Sequence, residues 1–167
     1  MADSAAMVDS QADISSLLSI EAELGRRSLY DYLQGMWHVV EPSTPFQDNW
    51  HLGAICEHEA AVLDFQIPKL CICVCPRSGK SITTSVAFPT WAWTRDPSTR
   101  FLFSSYSSDL SLEFATTARR VLDSTWYQSR WGVTLAPDQA TKSYYANTAG
   151  GYRISTSVGG SATGKGG

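Results

Sequence analysis

No stretch of this chain reaches the ~18 consecutive apolar residues of a membrane-crossing helix, so a membrane span is not expected. Charge is sparse as well: 17% of residues are charged, below the ~25% of an ordinary soluble domain. That excludes a disordered acidic or basic tail. Residues 1–11 contain no basic side chain, so neither a signal peptide nor a transit peptide is expected. Histidine is scarce: His38, His51 and His58 are the only three. His58-Glu59 opens like a zinc-protease motif, but Val62 stands where the second histidine belongs, and H-E-x-x-H fails. Basic residues are nearly missing from the first 68 positions, which hold Arg26 and Arg27 against eleven acidic side chains. Residues 69–167 reverse this, with eleven basic and five acidic. A polyanion is a reasonable partner for that half, although segregation of charge onto solvated faces accounts for the same asymmetry.

What is present is enough for one domain or slightly more: 167 residues, 43% of them apolar and 11% aromatic. Residues 1–12 read as disordered, within an acidic segment 1–25. Ile14, Leu17, Leu18, Ile20 and Leu24 have helical spacing, and Gly25 is the expected stop. A helical lead-in over 26–68 follows. One helix runs from Ser28 to about Val40, with Leu29, Tyr32, Leu33, Met36 and Trp37 on one face. Another runs from Asn49 to Phe65, with Trp50, Ala54, Ile55, Ala61, Val62 and Phe65 inward. Pro68 ends it.

The pattern then changes. Lys69–Cys75 is a continuous apolar run, as in a strand buried on both faces. Arg100–Ser105 is a second such run, and 142–146 and 151–158 are two more strands joined through Asn147-Thr-Ala-Gly150. Helices are expected from Ser81 to about Trp93, interrupted at Pro89, and from Asp109 to about Asp123. This alternation predicts an α/β fold on a parallel sheet flanked by helices. Cys71, Cys73 and Cys75 share one strand face at ~6.5–7 Å spacing, too far apart for a tetrahedral zinc site with ~2.3 Å bonds. With Cys56 they are expected to be small, reduced core residues.

The segment Pro76-Arg77-Ser78-Gly79-Lys80-Ser81, between strand and helix, has the context of a phosphate-binding loop. Gly79 lets the backbone turn sharply and approach an anion. Amides at the helix start point at the phosphate, and the helix dipole adds partial positive charge. Lys80 reaches the β- and γ-phosphates, Ser81 offers a hydroxyl to Mg²⁺, and Arg77 is placed to meet charge developing at the γ-phosphate. Val74 occupies the position where the eight-residue pattern has its first glycine. Gln47 is positioned to contact a base edge, and Trp91, Trp93, Trp126 and Trp131 to stack on bases; a solvent glutamine and core tryptophans are the plainer reading of both. The tail element Gly164-Lys165-Gly166 lacks a following Ser or Thr and reads as a flexible loop.

Taken in order, several segments resemble the large terminase subunit of tailed bacteriophages. Ile72-Cys-Val-Cys-Pro-Arg-Ser-Gly-Lys-Ser81 is similar to that family's loop, which also lacks the first glycine. Phe88-Pro-Thr-Trp-Ala-Trp93, Arg95-Asp-Pro97, Phe103-Ser-Ser-Tyr-Ser-Ser-Asp-Leu110, the Arg119-Arg120 helix, Gly151-Tyr152 and Val158 to Gly166 follow in register. The likeness covers about residues 45–167. It implies that 69–167 is part of a P-loop ATPase domain, truncated before the acidic Walker B strand. It also implies ATP and Mg²⁺ as cofactors, with Pro76, Arg77, Ser78, Gly79, Lys80 and Ser81 binding nucleotide, Ser81 on the metal and Arg77 as an arginine finger. The family packages double-stranded DNA into a procapsid, acts as a homo-oligomer with a portal protein and a small terminase subunit, and works in the host cytoplasm without a membrane. Its nuclease domain and Walker B carboxylates have no counterpart in these 167 residues, so nucleotide binding is expected here rather than hydrolysis. Asp123 and Asp138, the last carboxylates, stand in helix-end and loop contexts. Another P-loop translocase of helicase type, or a non-catalytic DNA-binding remnant, fits the loop equally well.

Overall fold

The computed structural model describes residues 2–157. Its elements follow the order three helices, an irregular segment, a broken helix, a strand, two helices and three strands. The first helix, α1 (Ala2–Arg27), is longer at both ends than the apolar spacing predicts. Residues 2–12 continue this helix, which their alanine-rich composition favours. Gly25 does not stop the helix, because Trp131 packs over it and Trp91 Nε1 donates to its carbonyl at 2.9 Å.

The second helix, α2 (Leu29–Val40), is the centre of the core. Ser28 caps it, accepting a hydrogen bond from the Asp31 amide at 3.1 Å. Leu29, Tyr32, Leu33, Met36 and Val40 line its buried face. In α3 (Trp50–Leu63) the inward face is Leu52, Ile55, Cys56 and Glu59. This differs from the expected face: Trp50 is 83% exposed, and Phe65, two residues past the end of the helix with a left-handed φ of 57°, is 94% exposed. A helix apolar on more than one side does not specify its own rotation, and packing against α2 and the phosphate-loop helix selects it.

That next helix is continuous from Lys80 to Arg95 but not uniform. A short α4 (Lys80–Ile82) runs into a π-turn (Thr83–Ala87), then into α5 (Phe88–Arg95). Trp91 and Trp93 of α5 are fully buried core residues, as the sequence suggests. Trp126 and Trp131 are partly buried and cluster with Tyr32 and Tyr127 at ring-centroid distances of 5.1–6.4 Å.

The sheet is mixed, in the order β1-β4-β3-β2, which corrects the all-parallel expectation. Strand β1 (Arg100–Ser105) pairs in parallel with β4 (Tyr152–Ser157), with Leu102 opposite Ile154. Strand β3 (Tyr144–Asn147) is antiparallel to β4, and β2 (Leu135–Ala140), not foreseen from sequence, is antiparallel to β3. The short link from β3 to β4 permits only an antiparallel return. Asn147 organises this link, accepting from the Ala149 and Gly151 amides and donating to Pro97 O at 2.7 Å. A Cβ on Gly151 would lie 2.1 Å from the same carbonyl, so only glycine fits. The helix α6 (Ser108–Leu122) covers the sheet with Ala115, Ala118, Val121 and Leu122, and a single-turn α7 (Thr125–Gln128) follows.

Lys69–Cys75 departs most from expectation. It is extended but belongs to no strand of the described sheet. Exposure alternates along it: Cys71, Cys73 and Cys75 are exposed, Ile72 and Val74 half-buried. A strand is buried on both faces only when flanked on both sides. Here α3 covers one face alone, so only Cys56 of the four cysteines is a core residue, and all four are free thiols. β1 is likewise half-exposed, with Leu102 45% accessible. No helix among the described residues is long and apolar enough to cross a membrane. Gly159–Gly167, including Gly164-Lys165-Gly166, lies outside the described residues.

Candidate functional site: a phosphate-binding loop

Pro76 closes the extended segment and the chain reverses through Arg77 and Gly79. Both are left-handed, with φ of 62° and 80°. Gly79 adopts this without penalty. At Arg77 a side chain in that region costs roughly 1–2 kcal/mol. Left-handed residues this close together turn backbone amides toward one concave side, the arrangement that receives anions. Gly79 is the N-cap of the helix and no side chain caps it, so the first helical amides have no side-chain acceptor from the cap residue.

Side chains around the loop hold it in this form. His51 Nε2 lies 2.8 Å from Ser78 O. A carbonyl only accepts, so Nε2 carries the proton and donates. Thr83 bonds Gly79 O through both its amide (3.0 Å) and its hydroxyl (3.2 Å). Leu52 Cδ2 would sit 3.2 Å from a Cβ on Gly79, so α3 closes the back of the loop.

The loop divides two hollows. One, of about 680 Å³, is walled by the loop, Trp37, Glu41, Thr44, Ile82 and Phe114, and includes Lys80 and Ser81. The other, of about 450 Å³, is walled by Trp37, Phe46, Gln47, His51 and the Arg77–Gly79 backbone. Sites for cofactor-sized ligands are of this size. Trp37 borders both, held by a hydrogen bond from Nε1 to Thr44 O (2.9 Å) and by edge-on packing with Phe46 at 5.3 Å. All six residues read from the sequence as a phosphate loop are thus brought to one hollow, with Gln47 beside it.

Two features make the loop fit an anionic ligand. Neither Arg77 nor Lys80 is in an ion pair among the described residues. Ser78 Oγ is buried with no hydrogen-bond partner, a cost of ~1–3 kcal/mol that an incoming acceptor removes. For a divalent cation the same hollow offers the Ser81 hydroxyl and the Glu41 carboxylate. Mg²⁺ commonly takes only one or two protein oxygens and completes its shell with phosphate and water. No cluster of three or more metal-ligating side chains occurs among the described residues.

Trp37, Glu41, Thr44 and Phe114 were missed as wall residues. They come from α2, its exit loop and α6, and no spacing in the chain announces that these meet at residues 76–81. Other singled-out residues stay away from the loop. Arg120 Nη2 donates to Val40 O (3.1 Å) at the C-terminus of α2, and Arg119 pairs with Asp123 at 3.5 Å, so both arginines have structural partners. His38 and His58 are exposed and bond carbonyls of their own helices.

One buried group is conspicuous. Glu59, on α3 where it packs against the π-turn, is 3% exposed; its polar neighbour is the Thr84 hydroxyl, which is buried with it and not aligned for a regular hydrogen bond to either carboxylate oxygen. Burial pushes its pKa up to about 7. It does not line either hollow beside the loop.

No family model matches the chain, and neither a curated protein nor a solved structure matches it.

Proposed function

We propose that this chain binds ATP at Pro76–Ser81, as the nucleotide-binding part of a P-loop motor that packages viral double-stranded DNA, of the terminase large-subunit kind. The observation that carries the nucleotide reading is the loop itself: two left-handed residues, two unpaired cations and a buried unpartnered hydroxyl at the start of a helix, beside a hollow of about 680 Å³. Helix-start amides and Lys80 hold the β- and γ-phosphates in this reading. Mg²⁺, when bound, offsets phosphate charge, and Ser81 holds it. Arg77 lies three residues before Lys80 on the rim of the same hollow, positioned to stabilise charge at the terminal phosphate. Trp37 and Gln47 border the neighbouring hollow, where a base would rest. The packaging role, and with it duplex DNA, portal protein, small subunit and homo-oligomer as partners in a host cytoplasm, is supported by the ordered segments between residues 45 and 167.

Titration of a fluorescent ATP analogue in the presence of Mg²⁺ tests the loop. Lys80→Ala is expected to weaken binding by at least ~10-fold, the loss of one charge-assisted contact. Equal affinities for the two proteins would overturn the assignment.

A further inference from the structure

The helix that follows the loop contains a defect with an identifiable cause. Pro89 has no amide hydrogen, so in a regular α-helix the carbonyl four residues back, Ser85 O, is left without its partner. Here the Phe88 amide reaches back five residues to Thr83 O, and Thr83–Ala87 widens into a π-turn. The freed Ser85 carbonyl does not go unsatisfied. Arg153 Nη1 donates to it at 2.6 Å from the middle of the sheet.

Arg153 is placed for this and little else. It sits on β4 between Phe101 of β1 and Tyr145 of β3, is 1% exposed, and has no carboxylate partner among the described residues. Its guanidinium lies 4.1 Å above the Phe103 ring, and Nε is buried with no hydrogen-bond partner. Burying an unpaired guanidinium is costly. The charge-assisted bond to Ser85 O is its contact with the helical layer.

The π-turn has a geometric consequence for the loop. Each residue of an α-helix advances the rotation by ~100°, so a turn containing one additional residue rotates everything before it by about that angle. The later half of the helix cannot absorb the rotation. Trp91 and Trp93 are immobilised in the core, donating to Gly25 O and Thr99 O, and the Thr90 hydroxyl accepts from Tyr32. The early half, Lys80–Ile82, therefore takes it up. Without the π-turn, Lys80 and Ser81 would leave the loop about a quarter-turn away from the hollow.

We infer that Arg153 is a positioning residue for the phosphate loop: by taking the Ser85 carbonyl that Pro89 leaves free, it holds the π-turn that aims Lys80 and Ser81 into the hollow. The inference rests on the nucleotide-binding reading of that loop, but its structural half is measurable without nucleotide.

Four variants separate positioning from bracing: Arg153→Met, Arg153→Lys, Pro89→Ala, and Pro89→Ala with Arg153→Met. Three readouts are compared, namely thermal melting, hydrogen exchange at the Phe88 amide, and affinity for a fluorescent ATP analogue with Lys80→Ala as reference. Arg153→Met is expected to melt lower, to lose Phe88 protection and to bind at least ~10-fold more weakly, with Arg153→Lys recovering part of each. In the double variant the amide hydrogen restored at position 89 pairs with Ser85 O in α-helical register. Its melting temperature is expected to recover while its affinity stays at least ~10-fold down, because the phase of Lys80 is now wrong. Recovery of both stability and affinity in the double variant would reduce Arg153 to a brace and overturn the inference. Wild-type affinity in a folded Arg153→Met would do the same. If wild type and Lys80→Ala both fail to bind, the nucleotide reading falls. The role of Arg153 is then decided by Phe88 exchange, which must rise in Arg153→Met for the inference to stand.

Discussion

Single side chains here carry costs that the surrounding structure tolerates. Arg77 is left-handed without being glycine, and Glu59 is a buried carboxyl with no cation beside it among the described residues and only the Thr84 hydroxyl as a polar neighbour. Glu59 makes a pH-dependent contribution of definite sign. Below its ordinary value of 4.5 both folded and unfolded chains hold the proton. Between 4.5 and about 7 only the unfolded chain gives it up, so stability falls as pH rises through that window and then levels. The loss above pH 7 is on the order of 3 kcal/mol. Glu59→Gln is therefore expected to melt well above wild type at pH 8 and close to it at pH 4. A melting difference that does not change between these pH values would show that the carboxyl is not held neutral. Thiol chemistry separates the cysteines in the same way. Cys56 is buried, with burial first among the causes that push its pKa up to about 12, while Cys71, Cys73 and Cys75 are exposed. A chromogenic disulfide reagent is expected to titrate three thiols quickly in the native protein and the fourth only on unfolding. Four slow thiols would put Lys69–Cys75 back inside a sheet.

At the scale of elements, apolar pattern and burial agree where a neighbour exists and part where it does not. In α2 the helical spacing matches the buried face closely, because that helix has the core on one side and water on the other. In α6 it holds only in part: Ala118, Val121 and Leu122 are buried as their spacing predicts, but Leu110 and Phe114 are half-buried while Ser111 and Ala115 are buried in their place. In β1 and Lys69–Cys75 the runs are apolar on both faces but only one face is covered. Such strands offer unpaired backbone groups and aliphatic side chains to any passing edge. Leu102 on β1 is 45% exposed. Leu102→Lys places a charge on that open face and is expected to lower the rate of concentration-dependent aggregation, measured by light scattering, with the melting temperature nearly unchanged. Faster aggregation, or a large fall in melting temperature, would mean that Leu102 packs against something in solution.

Across the whole molecule, the surroundings of the loop at residues 76–81 are assembled from parts far apart in the chain. α3 supplies His51 against its backbone, α2 and its exit supply Trp37, Glu41 and Thr44, and α6 supplies Phe114. β4 supplies Arg153 behind the helix that carries Lys80. Acidic side chains crowd the first 68 residues and basic ones the rest, so folding brings Glu41 from the acidic half to the same hollow as Arg77 and Lys80 from the basic half. A ligand in that hollow meets charges of both signs.

The sequence by itself determined whatever depends on neighbours within a turn or two. Gly-Lys-Ser after Pro-Arg announced a loop opening a helix, and Asn147 to Gly150 announced the β3–β4 turn. The spacing in α2 announced its buried face, and the bounds of β1 agree to the residue. Backbone sterics and helical period are local, so they are written locally. Pro89 announced an interruption of its helix, though not its form. Tertiary structure alone decided the rest. The π-turn needs a donor for Ser85 O, and that donor arrives from residue 153. The rotation of α3, which turned Trp50 outward and Glu59 inward, depends on what packs beside it. The mixed order of the sheet depends on which strands found partners. An apolar residue states that burial is favourable; only the remainder of the fold supplies the surface that buries it.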